Sequence, residues 1–195
     1  MDTVVGITGA SGVIYGVRLL QALPRKKTVI CSKEGLQLLQ LEAGIDEARL
    51  IAIADHHYDN DDLFSPLASG SVPFDALVIA PCSMSTMSKI ACGIADNLIT
   101  RVASVALKER RRLILLIRET PLSSIHLANL ERLALAGATI MPASPAFYPE
   151  PKKVSDMVDF VVGRVLDQLD VKHDLYKRWS GRKVTGSRGP RRRHR

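Results

Sequence analysis

Two hydrophobic rhythms alternate along the chain. Short, mostly apolar runs at residues 4–7, 27–31, 76–80, 113–117 and 139–141 predict strands. The runs at 76–80 and 113–117 carry no polar alternation, so both faces must be buried, as in a parallel sheet. Between the runs, apolar residues recur at helical spacing. Val13, Val17, Leu20 and Leu23 share one face; Leu36, Leu39 and Leu41 lie in a helix over about 33–42. Further helices are predicted over 84–91, over 97–110 with Leu98, Val102, Val105 and Leu107 inward, up to about 136, and over 155–169. Strand and helix alternating through short turns make an α/β domain with right-handed crossovers. A doubly wound parallel sheet is expected, Rossmann-like or flavodoxin-like, in a single domain. Residues 43–73 break the rhythm, with Gly44, a His/Asp-rich stretch and the turn Ala68-Ser69-Gly70-Ser71. Such a segment in a compact domain caps a site or an interface.

The first turn carries the strongest chemical signal. Gly6-Ile7-Thr8-Gly9-Ala10-Ser11-Gly12 runs on to Gly16, so a strand passes through a glycine turn into a helix. That arrangement aims backbone N–H groups at an anion, and the helix N-terminus adds roughly half a positive charge. Thr8 and Ser11 offer hydroxyls at the same spot. The segment is read as a phosphate-binding loop; a tight turn whose glycines serve packing alone is the plainer alternative. Gly9-x-x-Gly12-x-x-x-Gly16 is neither the dinucleotide fingerprint nor a P-loop. Tyr148 and Lys152 have a Tyr-x-x-x-Lys spacing, but Pro149 and Pro151 forbid a helix there. No acid follows the second strand at Cys31-Ser32-Lys33 to hold a ribose. NAD is disfavoured. Ligands of such sheets bind beyond the carboxyl ends of the strands. Residues 8–11, Ser32, residues 83–86 and Arg118-Glu119 therefore form an anion pocket rather than a proton relay.

Composition changes this picture at one end only. The formal charge of the 195 residues is +7, but residues 177–195 hold nine Lys/Arg and no acid. The other 176 residues balance at −2. Residues 1–180 are thus read as the domain and 181–195 as a basic, disordered tail. As a nucleic-acid-binding module, Arg191-Arg192-Arg193-His194-Arg195 would make weak, salt-dependent contacts, but no aromatics interleave with it. A solubilising tail is the better reading. Cys31, Cys82 and Cys92 are odd in number without C-x-x-C spacing, which points to reduced thiols and a cytoplasmic setting. Cys82 follows a strand, where a nucleophile can sit, but small buried cysteines are common. The histidines lack metal-ligand spacing; His56-His57 beside Asp59, Asp61 and Asp62 reads as a solvated loop, and no metal is expected. No signal peptide or membrane-spanning run is read.

Several motifs together are distinctive. The opening through Leu20 resembles that of the UbiX-type flavin prenyltransferases. So do Pro81-Cys82-Ser83-Met84-Ser85-Thr86, Leu107-Lys108-Glu109-Arg110-Arg111, Arg118-Glu119-Thr120-Pro121-Leu122 and Pro145-Ala146-Phe147-Tyr148. The resemblance spans about residue 4 to Trp179. It implies prenylation of reduced FMN by dimethylallyl phosphate across flavin N5 and C6, without a metal. The product, prenylated FMN, would serve UbiD-type decarboxylases. Gly9, Ala10 and Ser11 would hold FMN, joined by Ser32, Ser83, Met84, Ser85, Thr86 and Arg118. Tyr148 and Arg164 would bind dimethylallyl phosphate, with Lys108 and Arg101 completing a cationic cage. Glu119 would be the acid/base glutamate and Glu42 a second active-site carboxylate. The family's homo-oligomers, dodecameric shells, would close an apolar pocket between subunits.

Two departures stand out. The connection Pro24-Arg25-Lys26-Lys27 is shorter than usual, and Arg101-Val102-Ala103-Ser104 lacks the usual final Asp, an interface contact. The rival on the same fold is an FMN-dependent cysteine decarboxylase, which would need no cationic cage.

Overall fold

The computed structural model describes residues 1–24 and 26–181. The tail expected at 181–195 therefore lies outside the described residues except for Gly181. Six parallel strands form one sheet: β1 (Thr3–Ile7), β2 (Lys27–Cys31), β3 (His56–His57), β4 (Ala76–Cys82), β5 (Arg112–Ile117) and β6 (Thr139–Pro142). Their spatial order is β3-β2-β1-β4-β5-β6. Growth outward in both directions from β1 and β4 puts a topological switch point between these two strands, where such sheets open a crevice.

Side chains alternate across the sheet and feed two cores. Val5, Ile7, Val78, Ile114 and Leu116 pack with helices α1 (Ile14–Ala22) and α7 (Val154–Gln168). Val4, Leu77, Ile79, Leu113 and Leu115 pack with α4 (Met84–Ala91), α5 (Leu98–Lys108) and α6 (Ser124–Leu135). Hence α5 and α7 lie on opposite faces. Burial of every residue of β1 and β4 explains their unbroken apolar runs.

The helices begin where polar caps follow strands. Ser32 starts α2 (Lys33–Ala43) by accepting from Gly35 N, and Ser83 starts α4 by accepting from Thr86 N. Asn97 and Thr100 form a capping box at α5. Such oxygens satisfy amides that the first helical turn leaves orphaned.

The stretch at 43–73 is more regular than its sequence predicts. It holds the short helix α3 (Glu47–Ile51), strand β3 and a 3₁₀ turn at Pro66–Ala68. Arg111 fastens it from beyond α5, donating to Gly70 O and Val72 O with its guanidinium 4.3 Å over the Phe74 ring. No helix among the described residues is long and apolar enough to cross a membrane.

Candidate active site

Three turns at the carboxyl edge of the sheet are bonded into one unit. Thr8 Oγ1 donates to Pro81 O and accepts from Ser83 N, both at 2.8 Å, so the turn after β1 holds the turn after β4. Ser32 N donates to Ile7 O at 2.9 Å and brings in the turn after β2. From β5, Arg118 Nε reaches Ser11 O at 3.1 Å. Each serine cap named above thus stands beside the glycine loop.

The loop itself presents bare backbone. Gly9 and Ser11 are exposed, and among the described residues their N–H groups have no protein partner. A Cβ on Gly9 would lie 2.6 Å from Glu34 Cβ, so a larger residue would push the loop off the start of α2. These donors and the α1 N-terminus suit a phosphate, and Ser32, Ser83, Ser85 and Thr86 stand at the starts of α2 and α4 on the same edge. A cleft of about 620 Å³ opens beside Ser32, lined by Cys31, Lys33, Glu34, Asp59, Lys89 and Asp96 among others.

Thr8 departs from expectation. Being only 1% exposed and bonded at both ends, its hydroxyl ties turns together and is not offered to a ligand. Glu42, at the end of α2, accepts from Gly12 N at 2.8 Å and Val13 N at 3.3 Å. Its carboxylate supplies the cap that Val13 cannot, against the positive end of α1. Glu119 is exposed one residue beyond Arg118, its Oε1 accepting from Thr120 N. Gly9, Ala10, Ser11, Ser32, Glu42, residues 83–86, Arg118 and Glu119 therefore gather at one edge.

Cys82 and Cys31 are buried, and burial pushes both thiols up to about 12, with the Glu47 charge adding to the effect at Cys31. Neither is a nucleophile near neutral pH. At the sheet's end, Glu47, His57 and Asp59 bring ligand atoms within 4.8 Å of one another. Glu47 and Asp59 are exposed, and His57 is half-buried in β3.

The four residues expected to hold the prenyl donor fall into two separate pairs. Arg101 and Lys108 share a face of α5. Arg101 Nε donates to Ala68 O, while Lys108 meets Glu109 at 2.5 Å. Both border a shallow, about 570 Å³ depression with residues 63–71. Tyr148 and Arg164 belong to the opposite face. Tyr148 packs edge-on against Phe160 and Trp179, with ring centroids 5.8 and 5.5 Å apart. Arg164 Nη1 donates to Asp167 Oδ2 at 2.8 Å. Asp167 also receives Tyr176 Oη, His173 Nε2 and Arg178 Nη2. Burial opposes ionisation of Asp167, but these donors outweigh it and hold its carboxyl well below the usual range. Sequence reading missed this cluster; the Arg164–Asp167 spacing of three was its single local sign.

A profile of the Flavoprotein family matches residues 1–166. The flavin prenyltransferase UbiX of Methanocaldococcus jannaschii is 52% identical over 181 residues, covering 92% of this chain and 98% of that protein. This chain belongs to the UbiX-type flavin prenyltransferases. Among solved structures, AnUbiX (PadA1) in complex with FMN and dimethylallyl pyrophosphate superimposes with a TM-score of 0.92 at 39% identity. The alignment covers 93% of this chain and 98% of that one. A dodecameric, FMN-dependent UbiX-like decarboxylase from Escherichia coli O157:H7 gives 0.90 at 41% identity, over 93% of this chain and all of that one. The family's six-stranded α/β architecture is thus the one found here, and the flavin-binding expectation rests on a shared fold as well as shared motifs.

Proposed function

We propose that the protein transfers the dimethylallyl group of dimethylallyl phosphate to N5 and C6 of reduced FMN, making prenylated FMN. The observation that carries this reading is the 52% identity to a flavin prenyltransferase over nearly the whole length of both chains. The glycine loop holds the FMN phosphate, and Ser32, residues 83–86 and Arg118 hold the rest of the flavin at the carboxyl edge. Tyr148, Arg164, Lys108 and Arg101 receive the donor's phosphate. As the carbon–oxygen bond breaks, charge builds on the departing phosphate, and prealigned cations stabilise it there more than in the ground state. Closure of an apolar pocket keeps water from the allylic carbon. Ring formation at C6 releases a proton, and Glu119 and the departing phosphate are the two acceptors for it. Glu42 fixes the glycine loop as a second carboxylate.

One chain cannot close this cage by itself. Arg101 and Lys108 ride on α5, Arg164 on α7, and the sheet lies between those helices. Along the strand direction, Lys108 precedes Arg112, which is level with Thr3 through β4, whereas Gly9 lies six residues past Thr3. At ~3.3 Å per residue the strand part of that path, Thr3 to Ile7, spans roughly 13 Å. A second copy must bring its α5 to the flavin edge, so self-association is part of the active site. A UbiX-like relative is dodecameric. The product passes to a UbiD-type decarboxylase in the cytoplasm, the setting that free thiols favour. A cysteine decarboxylase would leave Arg101, Lys108 and Arg164 without a task.

The test is single-turnover kinetics with Lys108→Ala and Arg164→Ala at saturating donor. FMN affinity should hold while the transfer rate falls about two to three orders of magnitude, as when one preorganised donor to a forming oxyanion is lost. Normal turnover by Lys108→Ala would overturn the cage.

A further inference from the structure

The Asp167 cluster joins α7 to the segment that follows it. After α7, Asp170 takes a left-handed φ of 57° and turns the chain back along the helix it has just left. Residues 171–179 then form a strap over α7. Gly163 makes this approach possible, since a Cβ there would lie 2.6 Å from Tyr176 Cδ1 and 2.7 Å from His173 Cε1. The strap's polar groups converge on one carboxylate. Oδ1 of Asp167 accepts from His173 at 3.0 Å and Arg178 at 2.6 Å, and Oδ2 from Tyr176 at 2.7 Å and Arg164 at 2.8 Å. A carboxylate in the last turn of a helix faces the negative end of the dipole. Asp167 sits there with no basic residue of its own last turn to offset it, so its partners come from the strap and from Arg164.

We infer that Asp167 is a positioning residue for the prenyl-donor phosphate site, holding the Arg164 guanidinium in a fixed orientation and clamping the strap that abuts Tyr148. This rests on the assignment of Tyr148 and Arg164 to that phosphate. Only Nη1 of Arg164 is bonded among the described residues, to Asp167 and, at 3.5 Å, to Tyr176. A guanidinium anchored at one nitrogen still offers the N–H groups of the other two as a fork, the geometry that suits phosphate. Two arginines around one carboxylate leave a net positive charge, so the anchor orients the cation without cancelling the attraction. At the strap's end, Trp179 follows Arg178 and packs on Tyr148. Anchoring Arg178 on Asp167 therefore links Tyr148 and Arg164 through one short segment.

The experiment measures single-turnover prenyl transfer against dimethylallyl phosphate concentration, with the full-length oligomer loaded with reduced FMN. Asp167→Asn keeps the volume and removes the charge. It should raise the half-saturating donor concentration about tenfold, the equivalent of ~1.4 kcal/mol, while FMN affinity stays within about twofold. Asp167→Glu should recover part of the loss, which a role in stability alone would not produce. Unchanged or tighter donor saturation in Asp167→Asn, beside a large loss in Arg164→Ala, would overturn the inference and spare the site assignment. No loss in Arg164→Ala would remove the assignment and the inference with it. If Asp167→Asn failed to assemble, Tyr176→Phe carries the test. It keeps the ring on Phe160 and deletes the hydroxyl shared by Asp167 and Arg164. Wild-type donor saturation in that variant would equally overturn the inference.

Discussion

At the scale of single residues, the flavin-phosphate assignment turns on Ser11, exposed and beside Arg118. Ser11→Glu sets a carboxylate against the bound phosphate, and such like-charge contact costs several kcal/mol. FMN affinity should drop at least about a hundredfold, some 3 kcal/mol; a fluorescence titration showing wild-type affinity would refute the loop's role. The cysteines make an independent check on the core. Burial raises the thiols of Cys31 and Cys82 to about 12, so the reactive thiolate is scarce below that pH and grows as pH rises toward it. In native protein at pH 8, a thiol reagent should modify exposed Cys92 and leave the other two intact. Mass spectrometry showing two or three modified thiols would contradict this packing.

At the scale of elements, the turns after β1 and β4 are joined through one hydroxyl. Thr8→Val keeps the shape but leaves the amide of Ser83 without its acceptor, while Pro81 O still accepts from Thr8 N at 3.2 Å. One orphaned amide in this setting should cost about 2 kcal/mol. Flavin affinity should weaken too, because only the Thr8 N–Pro81 O bond then holds the turn after β4 to the glycine loop. Denaturant unfolding with less than about 0.5 kcal/mol of loss would show that the link is dispensable. The inward role of Thr8 was not legible beforehand, since a hydroxyl after a strand reads equally well as a ligand donor. Other features were plain. Strands with both faces buried announce themselves as unbroken apolar runs, and β4 and β5 lie within two residues of their predicted limits. By contrast, β3 has two residues and α3 five, too few to show a period. The serines at strand ends were visible as polar punctuation, and they sit at the shared edge because parallel strands all end on the same side. Asp167 stayed hidden because its partners come from the strap, and their meeting depends on the turn at Asp170 and the flat face at Gly163.

At the scale of the whole molecule, the sheet separates Arg101 and Lys108 from Arg164, so the proposed donor site calls for assembly. Light scattering at micromolar protein should report a large homo-oligomer, consistent with the dodecameric relative. An active monomer would break the argument that a second copy supplies Lys108 and Arg101. Prenyl transfer itself can be read in a single reaction. Protein incubated anaerobically with reduced FMN and dimethylallyl phosphate is quenched, and the flavin's mass and absorption spectrum are read, with dimethylallyl pyrophosphate in a parallel reaction. The account predicts a flavin heavier by one five-carbon unit, with an altered spectrum and release of inorganic phosphate from the monophosphate donor. Recovery of FMN at its original mass from both reactions, with flavin bound throughout, would contradict it.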